Sequence, residues 1–470
     1  MAKHYDVISF GTGSAMTIVS SVIETLPKAR IAIIEKDMVG GICLTRGCIP
    51  SKMLLYPAEL LANVERTSAF GIDAEVRSVN PKVILERTRK TITEESQTIE
   101  KGIKNHPRID FYKGVGEFIG EYTVKVNNEI ISGDKILLCT GSRPSIPTLK
   151  GLEDVGFLTS DDFFMRVEEL PKSIVIVGGG YVAVELGFFM AMMGSKVIIL
   201  GRNSRIVPDE EIEISELLKK ELSKYMDIRL SHTAVETSKK NGKKVVVSKD
   251  LKTGNYDEAE ADEILVAVGR RSNSDLTKPE KSGVKLDNNG WIVTNEYMET
   301  TKPNIWAFGD ANGKFMFKHK ANYETKIVFY NAFLGRRIKA SYHAIPHAIF
   351  TYPEVAAVGL SEKEAAEKHH ILIGYNRYED TAKGDAMMLK DYFVKVIVEK
   401  DTQKILGAHI IGPYASILIQ EIVNLMYTQD QSAIPIFDGM HIHPALSEVV
   451  DRAFYNLMEP EHYKHHINEI

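Results

Sequence analysis

Cysteine is scarce: 3 residues in a chain of 470, at positions 43, 48 and 139. That excludes a disulfide-stapled scaffold, which relies on many bridges to replace a small core. An excess of charge of one sign is also missing. The 58 Lys and Arg against 63 Asp and Glu leave a formal net charge of −5, which favours neither nucleic acid nor an anionic membrane as partner. Long hydrophobic runs are absent too. The longest apolar stretch, residues 174–201, is broken by Gly178, Gly179, Gly180, Glu185 and Lys196, and reads as a buried strand–helix–strand unit, not a membrane span. The opening MAKHYDVISFGTG enters a strand pattern at once. This leaves no room for a signal or transit peptide and predicts a cytoplasmic protein.

Hydrophobic content of 44% and charged content of 26% are those of a globular chain, and the length suggests about three domains. Tyr5–Phe10 reads as a strand, followed by Gly11-x-Gly13, a helix over about 14–26 and the strand Arg30–Glu35. The layout recurs at Ser173–Val177, Gly178-x-Gly180-x-x-Ala183, a helix to about 193 and the strand Lys196–Leu200. Two such units predict two nucleotide-binding domains of related design. Residues 51–105 carry helical periodicity, and 111–138 read as short strands with a turn at Asn127-Asn128. A helical pattern runs on from Ala321. Beyond 341, the strands Phe393–Glu399 and Ile405–Ile411 alternate with helices at 362–369, 416–428 and 447–458.

A glycine turn feeding a helix turns backbone N–H groups and the positive helix end toward a pyrophosphate, and an acid about twenty residues on takes a ribose hydroxyl. Glu35 lies 22 residues after Gly13, but Met16 holds the third glycine position. By itself the first motif also reads as a plain strand–helix turn. The second unit keeps the GxGxxA form, yet Gly201 stands where the acid would be, with Arg202 and Arg205 after it. Loss of the carboxylate removes repulsion of a 2′-phosphate and the guanidinium groups can pair with it, so NADP(H) is expected over NAD(H). Solvated loop charges are the alternative.

GGICLTRGCIPSK, residues 40–52, holds Cys43 and Cys48 four residues apart, with Pro50 ahead of a helical run. A helix N-terminus stabilises thiolate, the reactive form of cysteine, and Gly40 and Gly41 allow close backbone approach to a cofactor. Half of a zinc site would need further ligands, and neither a nearby cysteine nor a His pair at ligand spacing is present. On its own the pair is a candidate redox centre. Cys139, in an apolar strand, reads as a buried core thiol. His462, His465 and His466 form a loose tail cluster, and no metal site is predicted.

Taken in order, the cysteine pair and the two nucleotide motifs resemble the class I pyridine nucleotide–disulfide oxidoreductases, which include dihydrolipoamide dehydrogenase, glutathione reductase and mycothione reductase. The resemblance extends through TGSRPSIP (140–147), VAVGRRSN (266–273), PNIWAFGD (303–310), IPHAIFTYPEVAAVGLSE (345–362), ILGAHIIGP (405–413) and HIHPALSE (441–448). It implies an α/β fold: two Rossmann-like domains for FAD and NAD(P), plus a C-terminal α+β dimerisation domain. The implied boundaries are 1–147 and 271–340 for the two parts of the FAD domain, 148–270 for the NAD(P) domain and 341–470 for the dimerisation domain.

The resemblance also implies roles. For FAD, Glu35 would hold the adenosine ribose and Asp310 the ribityl chain; Gly11, Gly13 and Ser14 would meet the pyrophosphate. Gly41, Gly116, Thr140 and Gly141 would line the same cofactor, and Lys318 would open a helix aimed at the flavin. Lys52 would sit near the flavin and pair with Glu185. For the nicotinamide nucleotide, Gly178, Gly180 and Ala183 would form the turn with Gly269 beside it, Arg202 and Arg205 would face the 2′-phosphate, and Tyr181 would gate the nicotinamide pocket. Hydride would pass from the nucleotide through FAD to a Cys43–Cys48 disulfide, or in reverse. Cys43 would be the exchange thiol and Cys48 the flavin-proximal one. His443, oriented by Glu448, would serve the other subunit's disulfide as acid–base, which implies a homodimer with shared active sites.

The tail HYKHHINEI carries no second cysteine pair, and the intact Cys43/Cys48 pair argues against transhydrogenases and single-cysteine peroxide reductases. HxHPxxSE resembles dihydrolipoamide dehydrogenase, the reading placed first on family frequency. It would bring a 2-oxo acid dehydrogenase or glycine cleavage complex as partner. GTGSAM (11–16), KHKANYE (318–324) and IHPALSEVV (442–450) resemble mycothione reductase, which points to a small-disulfide reductase as the second reading. A role mainly as docking component of a multienzyme complex is the third; no lipoyl segment precedes residue 5.

Overall fold

The computed structural model describes residues 2–468, with side chains as far as His465; His466 of the tail cluster lies outside the described side chains. β1 (Lys3–Phe10) is the central strand of the first sheet, and its second half is wholly buried. That suits a parallel strand covered on both faces, which reads as a continuous apolar run. It lies parallel to β2 (Ile31–Glu35) on one side and β6 (Glu129–Leu138) on the other. β3 (Ile109–Lys113), β4 (Gly116–Gly120) and β5 (Thr123–Val126) complete the order β3-β2-β1-β6-β5-β4. A strand from far along the chain, Ile305–Ala307, pairs in parallel with β6.

α1 (Ala15–Thr25) buries Ala15, Ile18, Val19 and Val22, an i, i+3, i+4, i+7 stripe. The stripe shares one apolar cluster with Ile327 and Val328 of the helix Lys318–Phe333. At the β1–α1 turn Gly11 has φ +93°, and a Cβ there would lie 2.4 Å from the carbonyl oxygen of Cys139. Only glycine allows the turn after β1 to approach the end of β6 so closely.

The expected helical region 51–105 is interrupted. α2 (Gly41–Arg46) precedes α3 (Cys48–Glu65), which ends before a short turn at Thr67–Phe70. Gly71 then adopts φ +73°, and residues 72–80 run exposed without regular structure. α4 (Pro81–Lys104) restarts at an Asn80 cap that accepts from the Val83 N–H, with Pro81 in the first turn.

The second unit is a parallel sheet ordered Asp227–Leu230, Lys196–Gly201, Ser173–Val177, Glu263–Val266, Leu158–Thr159. Where a crossover helix would be expected before Glu263, the chain forms an antiparallel meander, His232–Lys240, Lys243–Asp250 and Tyr256–Ala261. The C-terminal part is an antiparallel six-stranded sheet built around Ile405–Ile411 and Phe393–Glu399, with the helices Ala415–Met426 and Ser447–Tyr455 packed on it. That last helix stops three residues short of expectation because Leu457–Met458 joins the sheet edge.

Lys395 of this sheet is buried and reaches Glu211 at 2.8 Å, Glu213 at 3.0 Å and Glu362 at 2.8 Å. Burial alone would lower its ammonium, but the three carboxylates outweigh that and hold it above its ordinary value. The one carboxylate triad with metal-like spacing among the described residues therefore holds a lysine. No helix among them is long and apolar enough to cross a membrane.

Candidate active site

Gly47 sits between α2 and α3, so the chain folds back and Cys48 becomes the first residue of α3. Cys43 then lies against the start of that helix. Its sulfur accepts a hydrogen bond from the Cys48 thiol, which pulls the Cys43 thiol down to about 7. Burial opposes this; the Lys318 charge and the N–H groups of Cys48 and Ile49 assist it. The same bond, together with burial, drives Cys48 upward. Above about pH 7 the reduced pair holds one proton between its two sulfurs. Lys318 is held by Ser14, whose Oγ accepts from the ammonium at 2.9 Å and donates to Asn322 at 3.1 Å.

One cavity is lined by the glycine turn at Gly11 and Gly13, by Glu35, by Asp310 and by both cysteines. Gly116, Thr140, Gly141 and Lys318 line it as well. A Cβ on Gly41 would stand 2.6 Å from the Gly13 Cα, so the cysteine loop and the first glycine turn pack backbone to backbone. Glu35 is braced rather than free: it accepts from the Thr12 N–H (3.1 Å), the Thr12 hydroxyl (2.7 Å) and the Asp37 N–H (2.9 Å). Asp310 accepts from the Ser142 hydroxyl at 2.6 Å. The first turn of α1 carries no acidic residue. A carboxylate for ribose, an unobstructed helix N-terminus for pyrophosphate and a second carboxylate beyond it form a donor set that fits FAD.

Cys139 departs from expectation. It is half-buried, packed on the core cluster with its other side on this cavity, and burial pushes its thiol up to about 11. Behind the cavity is a pair that the sequence did not suggest. Lys320 and Glu324 are fully buried, 3.1 Å apart, and Glu324 also accepts from the Gly309 N–H at 2.7 Å. They anchor the loop carrying Asp310. Arg46, between the cysteines, is likewise a missed contributor: it reaches Asp37 at 2.6 Å and Asp161 at 2.9 Å. Its sign and place in the loop were the available signal.

Lys52 of α3 donates to both oxygens of Glu185 at 3.0 Å. Glu185 also accepts from the Phe350 N–H at 2.9 Å, so three segments distant in sequence meet there. A buried carboxylate needs such compensation. Four residues before Glu185, Tyr181 opens the helix Tyr181–Met192 directly after Gly180. Its hydroxyl donates to Glu210 at 3.1 Å. Gly178 has φ +134°, Gly269 φ +116°, and Ala183 is fully buried.

Gly201 ends its strand where an acid would be expected, and a Cβ there would already meet Leu230 at 2.8 Å. Arg202 is exposed and has no hydrogen-bonding or ionic partner among the described residues. Arg205 is half-buried; one terminal nitrogen donates to the Pro208 carbonyl at 3.2 Å and the other, Nη1, is buried without a partner among the described residues.

His443 donates through Nδ1 to the Glu448 carboxylate at 2.9 Å, and Glu448 also accepts from the Ala445 N–H at 3.1 Å. These bonds, the His443 one first, hold the Glu448 carboxyl below its ordinary value. His441 pins the loop through Glu421 at 2.9 Å and Asp451 at 3.5 Å. Within one chain His443 does not meet the cysteines. It is 67% exposed and does not line their cavity.

The chain is 33% identical to the mycothione reductase of Mycobacterium tuberculosis over 466 residues, covering 96% of this chain and 99% of that one. It is 31% identical to the dihydrolipoyl dehydrogenase of Chlamydia pneumoniae over 459 residues, with 96% of each chain covered. Among solved structures, the Cu(II) complex of the HOCl-induced flavoprotein disulfide reductase RclA from Escherichia coli superposes with a TM-score of 0.84 at 25% identity, over 97% of this chain and all of that one. Residues 5–325 match the pyridine nucleotide-disulphide oxidoreductase family and residues 345–454 match its dimerisation domain. The chain belongs to the pyridine nucleotide-disulphide oxidoreductases, enzymes that work with FAD and NAD(P)H.

Proposed function

We propose that the protein is an NADPH-dependent reductase of a low-molecular-weight disulfide, acting as a homodimer. The observation that carries this reading is the unpartnered Arg202 beside Gly201, where an acid would be expected to select NAD(H). It reverses the order that family frequency alone suggests. The similarity to mycothione reductase supports the same class of substrate. Dihydrolipoamide oxidation is the second reading, favoured by HIHPALSE and by the dehydrogenase relatives.

Gly11, Gly13, Ser14, Glu35 and Asp310 would hold FAD, with Gly41, Gly116, Thr140, Gly141 and Lys318 along it. Bound there, FAD supplies two-electron transfer between reduced nicotinamide and the cysteine pair. The remaining chemistry belongs to side chains. The Cys43 thiolate attacks one substrate sulfur and expels the other half as a thiol. Cys48 then displaces the second half, and the Cys43–Cys48 disulfide forms. His443 of a second copy, steadied by Glu448, gives the departing sulfur its proton. Tyr181 covers the nicotinamide pocket beside the Lys52–Glu185 pair, and Gly178, Gly180, Ala183 and Gly269 shape the turn for the nucleotide.

Turnover should be measured with lipoamide and with glutathione, mycothiol and bis-γ-glutamylcystine disulfides, each with NADPH and NADH. The proposal expects one of the three thiol disulfides with NADPH to give the highest kcat/KM. A clear preference for lipoamide with NAD(H) would establish the dehydrogenase reading instead.

A further inference from the structure

Glu210 lies in the turn between the strand Lys196–Gly201 and the helix Ile212–Leu222, and solvent does not reach its side chain. Buried carboxylates are ordinarily filled on both oxygens or set against a cation. Glu185, Glu211 and Glu324 each face a lysine ammonium. Glu210 faces none. Its Oε1 accepts from the Tyr181 hydroxyl at 3.1 Å and meets His347 Nε2 at 2.7 Å, while its Oε2 is buried without a partner among the described residues.

The two partners come from different parts of the chain. Tyr181 follows the second glycine turn; His347 begins the strand that runs toward Phe350, whose N–H binds Glu185. The Tyr181 ring is also held by its face. It stacks on His347 at 5.7 Å and on Phe317 at 6.4 Å, and those two rings lie 3° from parallel, 5.6 Å apart. Phe317 immediately precedes the helix that carries Lys318. The tyrosine is therefore gripped at its plane by two rings and at its tip by an under-compensated carboxylate.

We propose that Glu210 is a positioning residue that latches Tyr181 in the closed position, and that this latch lowers the affinity for NADPH. The inference rests on Tyr181 covering the nicotinamide pocket. Moving the ring aside breaks a hydrogen bond to a desolvated anion, so only a fraction of the free enzyme is open. The apparent dissociation constant rises by the reciprocal of that fraction. His347 stays bonded to Glu210 as the tyrosine leaves, so the carboxylate keeps one partner in the open form.

The test uses the FAD-loaded enzyme with Tyr181→Phe, which keeps the ring stack, with Glu210→Gln, and with both together. The dissociation constant of the unreactive NADP+ is read from flavin fluorescence, and NADPH-driven flavin reduction from stopped flow. Each single variant is expected to tighten NADP+ about 3- to 10-fold, and the double variant no more than the better single one. If Glu210→Gln fails to fold, Tyr181→Phe alone decides. Unchanged or weaker binding in Tyr181→Phe overturns the latch, as do additive gains in the double variant. If the flavin of the unaltered enzyme is reduced by neither NADPH nor NADH, the proposed function falls and the latch with it.

Discussion

Cys48 donates its thiol hydrogen to Cys43 while its own backbone N–H, with that of Ile49, is directed at the same sulfur. One residue thus lowers its neighbour's pKa through both side chain and main chain. The reactivity of Cys43 is a property of the turn at Gly47 as much as of the thiol.

The pH dependence follows with its sign. A thiol pulled down to about 7 is thiolate above that pH and protonated below it. Alkylation of the reduced enzyme by iodoacetamide should therefore fall about tenfold per unit below pH 7. Lys318→Gln removes one of the lowering influences, so its midpoint should move up toward the ordinary thiol range. An unshifted midpoint would show that the Lys318 charge is screened from the sulfur.

Replacing the exchange thiol separates the two half-reactions. Cys43→Ser should abolish disulfide turnover and leave flavin bound and reducible by NADPH. It also removes the group that drives Cys48 upward, so a Cys48 thiolate should appear at lower pH as a long-wavelength band. Cys48→Ser should lack that band. The opposite pattern would exchange the roles of the two cysteines.

His443→Ala should slow disulfide reduction by about 10²–10⁴, the range for a lost acid–base group. Mixing it with Cys43→Ser gives a test of the dimer, because a heterodimer regains one complete site only if His443 serves the other subunit. No recovery on mixing would place both groups within one chain.

Arg202→Glu should raise the KM for NADPH about 10- to 100-fold, the worth of a charge-assisted hydrogen bond. KM for NADH should fall or hold. Equal losses with both nucleotides would mean that Arg202 serves the loop and not a 2′-phosphate.

Lys395→Met leaves Glu211, Glu213 and Glu362 facing one another in a buried site. Breaking such a cluster from one side costs about 3–5 kcal/mol, so thermal unfolding should begin at clearly lower temperature. A Tm within a degree or two of the parent would show that the carboxylates relax into solvent.

The elements legible in the sequence were those with strong periodicity. The strands Ser173–Val177, Phe393–Glu399 and Ile405–Ile411 fall where their apolar runs predict. Glu185 was nameable as the partner of Lys52 only through family resemblance, since 133 residues separate them. The contacts of Glu210 with Tyr181 and His347 left no trace, because each residue taken singly is an ordinary polar side chain. Lys320 and Glu324 stand four apart, the spacing of countless exposed helix pairs, and nothing local reveals that the core closes over them. The meander at 232–261 was illegible for another reason: its first and last strands, HTAVETSKK and YDEAEA, hold few large apolar residues.

The strand Ile305–Ala307 completes the first sheet beside β6, and the helix Lys318–Phe333 covers the apolar face of α1. Chain order and fold order therefore disagree. As the polypeptide leaves the ribosome, the unit around Ser173–Val177 has all of its sheet by Val266, whereas the one begun earlier still lacks a strand and a covering helix. Until then the end of β6, Ile136–Leu138, has one open edge and α1 an uncovered apolar stripe, features that invite misassociation. During synthesis the sheet of the inserted unit is therefore complete before that of the unit that was begun first.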